Sequence, residues 1–302
     1  MTEEELRIVR RAFARQILAV AGVSENARLE SAFSEIRRER FLGSDQWLIV
    51  DAGKWVAPLP ENDPVYAYQN VLFALSASRG VNNGEPSLHA RMLNALSPEP
   101  GQRAVHVGAG TGYYTAVLAE LVGQRGHIIA VEIDPILGRM ARENLRDRTN
   151  VDVVIADGGN WPQENADRIY VNFAVTGPPA PWIERLSPMG RLVMPLGVPN
   201  EPNRAGGPRS SQYGGVSLIE RRENEFAAAY ICPAYFIHAE GDPGSIDEDA
   251  VARLELAFRS GRAECVKSLV WGDAARADQC WYSSPKWSLS YTAVNAGGAT
   301  KG

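Results

Sequence analysis

The chain of 302 residues predicts an α/β fold built on a mostly parallel sheet, and three observations carry that expectation. From residue 104 onward, short apolar runs alternate with helical patterns. A glycine-rich loop joins the first of those runs to the first of those helices. Carboxylates stand at the ends of the next two runs. Strands alternating with helices imply right-handed crossovers and a parallel sheet covered on both faces.

In chain order, the first 45 residues read as two amphipathic helices. Leu6, Val9, Phe13 and Ile17 share one face and Leu29, Phe33 and Ile36 another, closed by "RRERFLG". Residues 45–80 read as irregular, because Pro58, Pro60 and Pro64 break any helix. "GVNNGEPSLHARML" (80–93) is a turn leading into a helix, with Leu88, Met92 and Leu96 at helical spacing. Strands follow at "AVHV" (104–107), "HIIAVEI" (127–133), "VDVVIA" (151–156), "RIYVNFAV" (168–175) and "GRLVMPLG" (190–197). Helices fall at 115–121 and 137–145, between the first three. The Pro/Gly/Ser-rich stretch 198–215 reads as a surface loop. "GVSLIERR" and "FAAAYICPAYFIHA" read as an antiparallel pair closing the sheet. Ser245 and Glu248 form a capping box before a helix carrying Val251, Leu254 and Phe258. Trp281, Trp287 and Tyr291 read as packing for a short terminal strand.

Composition narrows the function. With 31 basic and 36 acidic residues the net charge is −5, which argues against broad nucleic-acid binding. The cluster Arg37, Arg38, Arg40 reads as a solvated helix end. No run approaches the roughly 18–20 apolar residues of a membrane span. The charged start "MTEEELRIVRR" lacks the apolar core of a signal peptide. Cys232, Cys265 and Cys280 form no C-x-x-C pair, and the four histidines have no metal-ligand spacing. The expectation is a soluble cytoplasmic protein with reduced thiols and no metal.

The sharpest motif is "VHVGAGTGYY" (105–114): strand, then Gly108, Gly110 and Gly112, then helix. A tight strand-to-helix turn needs one glycine; three let a ligand approach the backbone and face the helix N-terminus. The spacing is G-x-G-x-G, neither the dinucleotide G-x-G-x-x-G nor a P-loop. Glu132 ends the second strand 20 residues after Gly112, where a carboxylate can accept from both hydroxyls of a ribose. Asp157 and Gly158 end the third, at the edge that would face an adenine amino group. Each carboxylate alone could be a solvated strand end or a helix cap. Together with the loop they point to a nucleoside ligand.

These features resemble class I S-adenosylmethionine-dependent methyltransferases, and more narrowly the protein-L-isoaspartate O-methyltransferases. The likeness runs from residue 8 to about 240 through "FARQILAVAG", "VHVGAGTGYYTAVLAELVG", "GRLVMPLG" and "YFIHAEG". It implies a Rossmann-like sheet, mostly parallel with an antiparallel end, preceded by N-terminal helices; the residues beyond it read, from their own pattern, as an α+β extension. The segments would be 1–98, helices and a substrate-side loop; 99–241, the cofactor-binding core; and 242–302, an extension without a family counterpart. It implies an S-adenosyl-L-methionine site at Gly108, Ala109, Gly110, Thr111, Gly112, Tyr113, Glu132, Ile133, Asp157 and Gly158.

The resemblance also locates a substrate side. The family's loop runs T-x-S-x-P-x-x-H-A; here "NNGEPSLHA" places Asn82 at the threonine and Gly84 at the serine, while Pro86, His89 and Ala90 match. The hydroxyl that would orient an isoaspartyl carboxylate is therefore missing. Glu85 has two readings: a charge complementing a helix dipole, or a carboxylate that disfavours a carboxylate substrate. Ser87 reads as a helix-start residue or a substitute hydroxyl, and His89 as a packing residue. Asn172, at the end of the fourth strand, would stand above the transferring methyl, with Thr176 in the loop beyond. "NFAV" lacks the N-P-P-[YF] pattern of amine methylation. The resemblance thus implies carboxyl O-methylation of a protein or peptide. The alternatives are O-methylation of a small metabolite or peptide natural product, and cofactor binding without catalysis.

Overall fold

The computed structural model describes residues 1–51, 54–56, 62–200, 210–241, 247–272 and 275–294. The chain opens with α1 (Glu3–Ala21) and α2 (Ala27–Glu35). Thr2 and Glu5 cap α1 reciprocally, each side chain bonding the other's backbone N–H. The predicted apolar faces are buried at Leu6, Phe13, Ile17, Leu29 and Phe33. Each such side chain contributes roughly 1.5–3 kcal/mol by leaving water.

One reading of this region is overturned. Arg38 is not part of a solvated helix end but fully buried. Its guanidinium donates to the carbonyls of Ala67, Gln69 and Val71 at 2.7–2.9 Å and lies 5.1 Å from the centre of the Phe73 ring. Burial is tolerated because the planar fork satisfies three carbonyls at once. The segment predicted as irregular (45–80) and the start of the turn after it contain two small hairpins, β1 (Ile49–Asp51) with β2 (Lys54–Val56) and β3 (Ala74–Ser76) with β4 (Val81–Asn82). Strands of two or three residues leave no period to read. Pro58 and Pro60 lie outside the described residues, and Pro64 starts a short 3₁₀ turn.

After α3 (Pro86–Leu96) comes the expected alternation: β5 (Arg103–Val107), α4 (Tyr113–Val122), β6 (His127–Glu132), α5 (Pro135–Leu145), β7 (Val151–Ile155) and β8 (Ala166–Val171). A five-residue helix that the sequence pattern does not announce, α6 (Ala180–Glu184), then leads to β9 (Leu186–Pro199). The strands β7, β6, β5, β8 and β9 pair in that order, all parallel. Side chains alternate between the faces: Ala104, Tyr170 and Val193 join the core under α1–α4, while Val105, Ile169 and Leu192 join the opposite core. The order reverses between β5 and β8, and open α/β sheets bind ligands at the carboxyl ends beside such a switch.

β10 (Ser211–Arg222) and β11 (Glu225–Pro233) form the predicted antiparallel pair. They shorten the predicted 198–215 loop from both ends, Ser211 pairing with Pro199; residues 201–209 lie outside the described ones. The pair does not close the sheet. After α7 (Glu248–Ser260), the strands β12 (Ser268–Trp271), β13 (Cys280–Ser283) and β14 (Trp287–Ser290) extend it to ten, in the order β11, β12, β14, β13. An uncovered β11 would present unpaired N–H and C=O groups, and β12 pairs with its first residues, Phe226 and Ala227. The cap observed on α7 is Asp247, whose carboxylate accepts from Asp249 and Ala250; Ser245 of the expected box lies outside the described residues. Among the described residues, no helix is long and apolar enough to cross a membrane.

Candidate functional site

At the carboxyl end of β5 the chain turns back over β6. Gly108 and Ala109 both donate to the carbonyl of Val131, at 2.9 and 3.1 Å, which bends the loop across the strand end. Gly108 has φ +80, and a β-carbon there would lie 2.7 Å from the Phe173 ring. Only glycine meets both demands.

Glu132 locks this turn. One carboxylate oxygen accepts from Gly110 N–H at 2.7 Å and the other from Asp134 N–H at 2.9 Å. Burial pushes its pKa up, against the pull of those two N–H groups. Each oxygen keeps a further lone pair for a diol. Asp134 caps α5 through Ile136 and Leu137 and also pairs with Arg79, whose other nitrogen meets both oxygens of Glu240 at 2.9 Å.

These groups line a cleft of about 120 Å³ between Arg79, Asn82, Gly108, Gly110, Glu132, Ile133 and Gly158. A larger cavity of about 470 Å³ adjoins it, and Asn82, Gly108, Gly110, Asn172 and Ile237 line both. Of the residues singled out in the sequence, Gly108, Gly110, Glu132, Ile133 and Gly158 come together in the cleft. Ala109, Thr111 and Tyr113 line the larger cavity instead. The Thr111 hydroxyl is turned inward, donating to Phe41 O at 2.6 Å, and Tyr113 packs edge-on to Phe41. Gly112 and Asp157 line neither space. Gly112 precedes α4, and Asp157 accepts from Gly159 N–H at 2.8 Å beneath Gly241.

On the acceptor side, Glu85 precedes Pro86 at the start of α3. Its carboxylate accepts from the Ser87 hydroxyl at 2.7 Å and from Asn70 at 3.0 Å. Asn82 accepts from Gly84 N–H at 2.9 Å. Asn172, just beyond β8, is bonded through its amide to His106 Nε2 at 2.7 Å, and His106 Nδ1 lies 2.7 Å from the Thr115 hydroxyl. Burial lowers the His106 pKa to about 3, so the ring is neutral at pH 7. The other end of the Asn172 amide is buried without a partner among the described residues.

The residues that sequence reasoning missed are Arg79, Asp134, Phe173 and Glu240. Asp134 carried a signal, an Asp-Pro pair directly after a strand, which marks a helix cap. Arg79 and Glu240 are 161 residues apart, and no local pattern joins them.

The cleft suits S-adenosylmethionine on these grounds. A buried carboxylate with spare lone pairs faces a glycine turn that a side chain would fill, and Ile133 and Leu137 offer apolar walls. Among the described residues, no group of His, Cys, Asp and Glu could hold a metal.

Comparison with known proteins agrees with this geometry. Residues 15–206 match the family model described as protein-L-isoaspartate(D-aspartate) O-methyltransferase. A protein-L-isoaspartate O-methyltransferase of Aeropyrum pernix is 43% identical over 131 residues, 42% of this chain and 50% of that protein. One of Methanopyrus kandleri is 33% identical over 202 residues, covering 64% of this chain and 80% of its own. A solved structure of a candidate protein-L-isoaspartate O-methyltransferase of Plasmodium falciparum, in complex with S-adenosyl-L-homocysteine, superposes with a TM-score of 0.57 over 76% of this chain and 98% of that one, at 17% identity.

Proposed function

The chain belongs to the protein-L-isoaspartate(D-aspartate) O-methyltransferase family, and from that premise we propose that it methylates a carboxylate of a protein or peptide with S-adenosylmethionine. The observation that carries this reading is the junction of cleft and cavity. Asn82, Gly108, Gly110, Asn172 and Ile237 line it, and none of them can accept a proton at neutral pH. A phenol or amine acceptor needs a base there; a carboxylate arrives already ionised.

S-adenosylmethionine, when bound, supplies an electrophilic methyl group on a sulfonium. Transfer forms one C–O bond and breaks one C–S bond, with the electron pair going to sulfur and no proton moved. The protein's task is then to align and to exclude water. Glu132 would hold the ribose, and Gly108, Gly110, Ile133 and Gly158 would wall the nucleoside. Ala109, Thr111, Gly112 and Tyr113 support the loop from behind, and Asp157 acts from beneath Gly241. Asn172, fixed by His106 and Thr115, would border the methyl together with Asn82. Gly84 and Glu85 shape the acceptor side.

The test is methyl transfer from labelled cofactor to an isoaspartyl peptide, scored as base-labile label, with the aspartyl peptide as control. Transfer to the isoaspartyl peptide alone supports the reading, and no label on it overturns the reading. In the same preparation, Glu132→Ala should weaken cofactor binding roughly 10–100-fold, the loss expected for hydrogen bonds to a buried charge. Unchanged affinity removes Glu132 from the site.

A further inference from the structure

We infer that His89 is the residue that grips the acceptor carboxylate, through an Nε2–H directed at the larger cavity across the gap left by Gly84. This rests on the carboxylate reading above.

The space comes first. A β-carbon built on Gly84 would lie 2.0 Å from His89 Nε2 and 2.7 Å from Cδ2, so the imidazole edge occupies the place a side chain at 84 would take. With φ +75, residue 84 is also a backbone position that other residues rarely adopt. The missing serine and the position of His89 are therefore one arrangement. Both residues line the cavity of about 470 Å³.

The hydrogen bonds then fix which nitrogen carries the proton. His89 Nδ1 lies 2.6 Å from the Tyr170 hydroxyl, which is fully buried. Among the described residues Nδ1 is the only partner of that hydroxyl, and a buried O–H left without an acceptor is costly. Tyr170 therefore donates to Nδ1, and the proton of the neutral ring sits on Nε2. Burial and the neighbouring His106 and Arg38 hold the ring neutral, with a pKa well below the usual value. A neutral donor orients a carboxylate oxygen without adding a cation beside a sulfonium.

The ring is also immobilised. It stacks on Tyr114 at 3.8 Å with planes 7° apart, and the Tyr114 hydroxyl reaches Gly84 O at 3.3 Å. Asn83, which also lines the cavity, has its Nδ2 buried without a partner among the described residues, a second unused donor. The Glu85 carboxylate, the nearest negative group in the loop, is already held by Ser87 and Asn70. His89 thus binds the oxygen that does not react and leaves the other facing the methyl.

The experiment compares wild type, His89→Phe, Tyr170→Phe and Gly84→Ser with labelled cofactor and an isoaspartyl peptide, and measures S-adenosylhomocysteine affinity for each. His89→Phe keeps the aromatic stack and loses the donor. It should raise the peptide KM roughly 10–100-fold, as for one charge-assisted hydrogen bond, with cofactor affinity within about twofold. Tyr170→Phe frees the tautomer and should raise KM by a smaller factor; it decides the matter if His89→Phe does not fold. Gly84→Ser restores the family's residue yet should lower activity, because it displaces His89. Unchanged peptide kinetics in His89→Phe, loss of its cofactor affinity along with activity, or Gly84→Ser at or above wild type each overturns the role of His89 and leaves the carboxylate reading standing. A wild type that labels no isoaspartyl peptide overturns both.

Discussion

His106 and His89 are buried, and both are held neutral by that burial, His106 with a pKa lowered to about 3. In the unfolded chain each titrates near 6.5. Below that pH the unfolded state takes up protons that the native state refuses, so stability rises with pH and is lost as pH falls from 6.5. Each histidine adds a slope of up to about 1.4 kcal/mol per pH unit. Denaturant unfolding between pH 6.5 and 5, above the carboxylate range, should show this fall, and His106→Gln should remove about half of the slope. An equal slope in the variant would count against His106. Such residues show how legibility varies at this scale. Glu132 was readable because strand, loop and carboxylate stand in one short stretch. Arg38 was not, because its three carbonyl partners lie 29 to 33 residues away and its neighbours Arg37 and Arg40 look identical to it in composition.

Among the elements, β5 to β9 with α4 and α5 were legible because each carries an apolar run or an apolar period of the right length. The hairpins within 45–82 were not, being too short for periodicity. The same segment supplies Arg79, which bridges Asp134 at the end of β6 and Glu240 beyond β11. This clasp spans the cleft wall and ties together three elements with no covalent proximity. Asp134 is held below the usual carboxylate range, by its helix-cap N–H bonds and by Arg79 against the effect of burial. Arg79 and Glu240 are both about a third or more exposed, so the clasp is worth no more than about 1 kcal/mol. Arg79→Ala should speed S-adenosylhomocysteine dissociation roughly two- to fivefold with little change in folding stability. Raising the salt should speed release from wild type and leave the variant nearly unaffected. A variant with the wild-type rate at low salt would show that the clasp is only a surface contact.

Across the whole molecule, the residues after 241 decide whether the sheet is finished. The sequence separates them, since they have no counterpart in the family pattern, yet the fold places β12 directly beside β11, with Phe226 opposite Leu269 and Ala227 opposite Ser268. Helix α7 buries Leu254 and Ala257 in the same core as β9, and Phe258 stands edge-on to Trp281 at 4.9 Å. Trp287 reaches the loop after β8, where a β-carbon on Gly177 would lie 2.9 Å from its ring. That loop begins at Asn172, so the extension packs against the segment that follows Asn172. A chain ending at Gly241 would expose the β11 edge and the apolar side chains now covered by Trp281, Trp287 and Leu289. Losing even three of those burials costs on the order of 5 kcal/mol, which for a domain of this size means a drop of about 10 °C or more in Tm. The truncated protein should therefore melt far below the full chain or aggregate through the freed edge, and should lose methyl transfer with it. An autonomous appendage behaves differently: its removal leaves Tm and cofactor affinity where they were. Thermal unfolding of the two chains side by side distinguishes these outcomes, and the strand pairing favours the first.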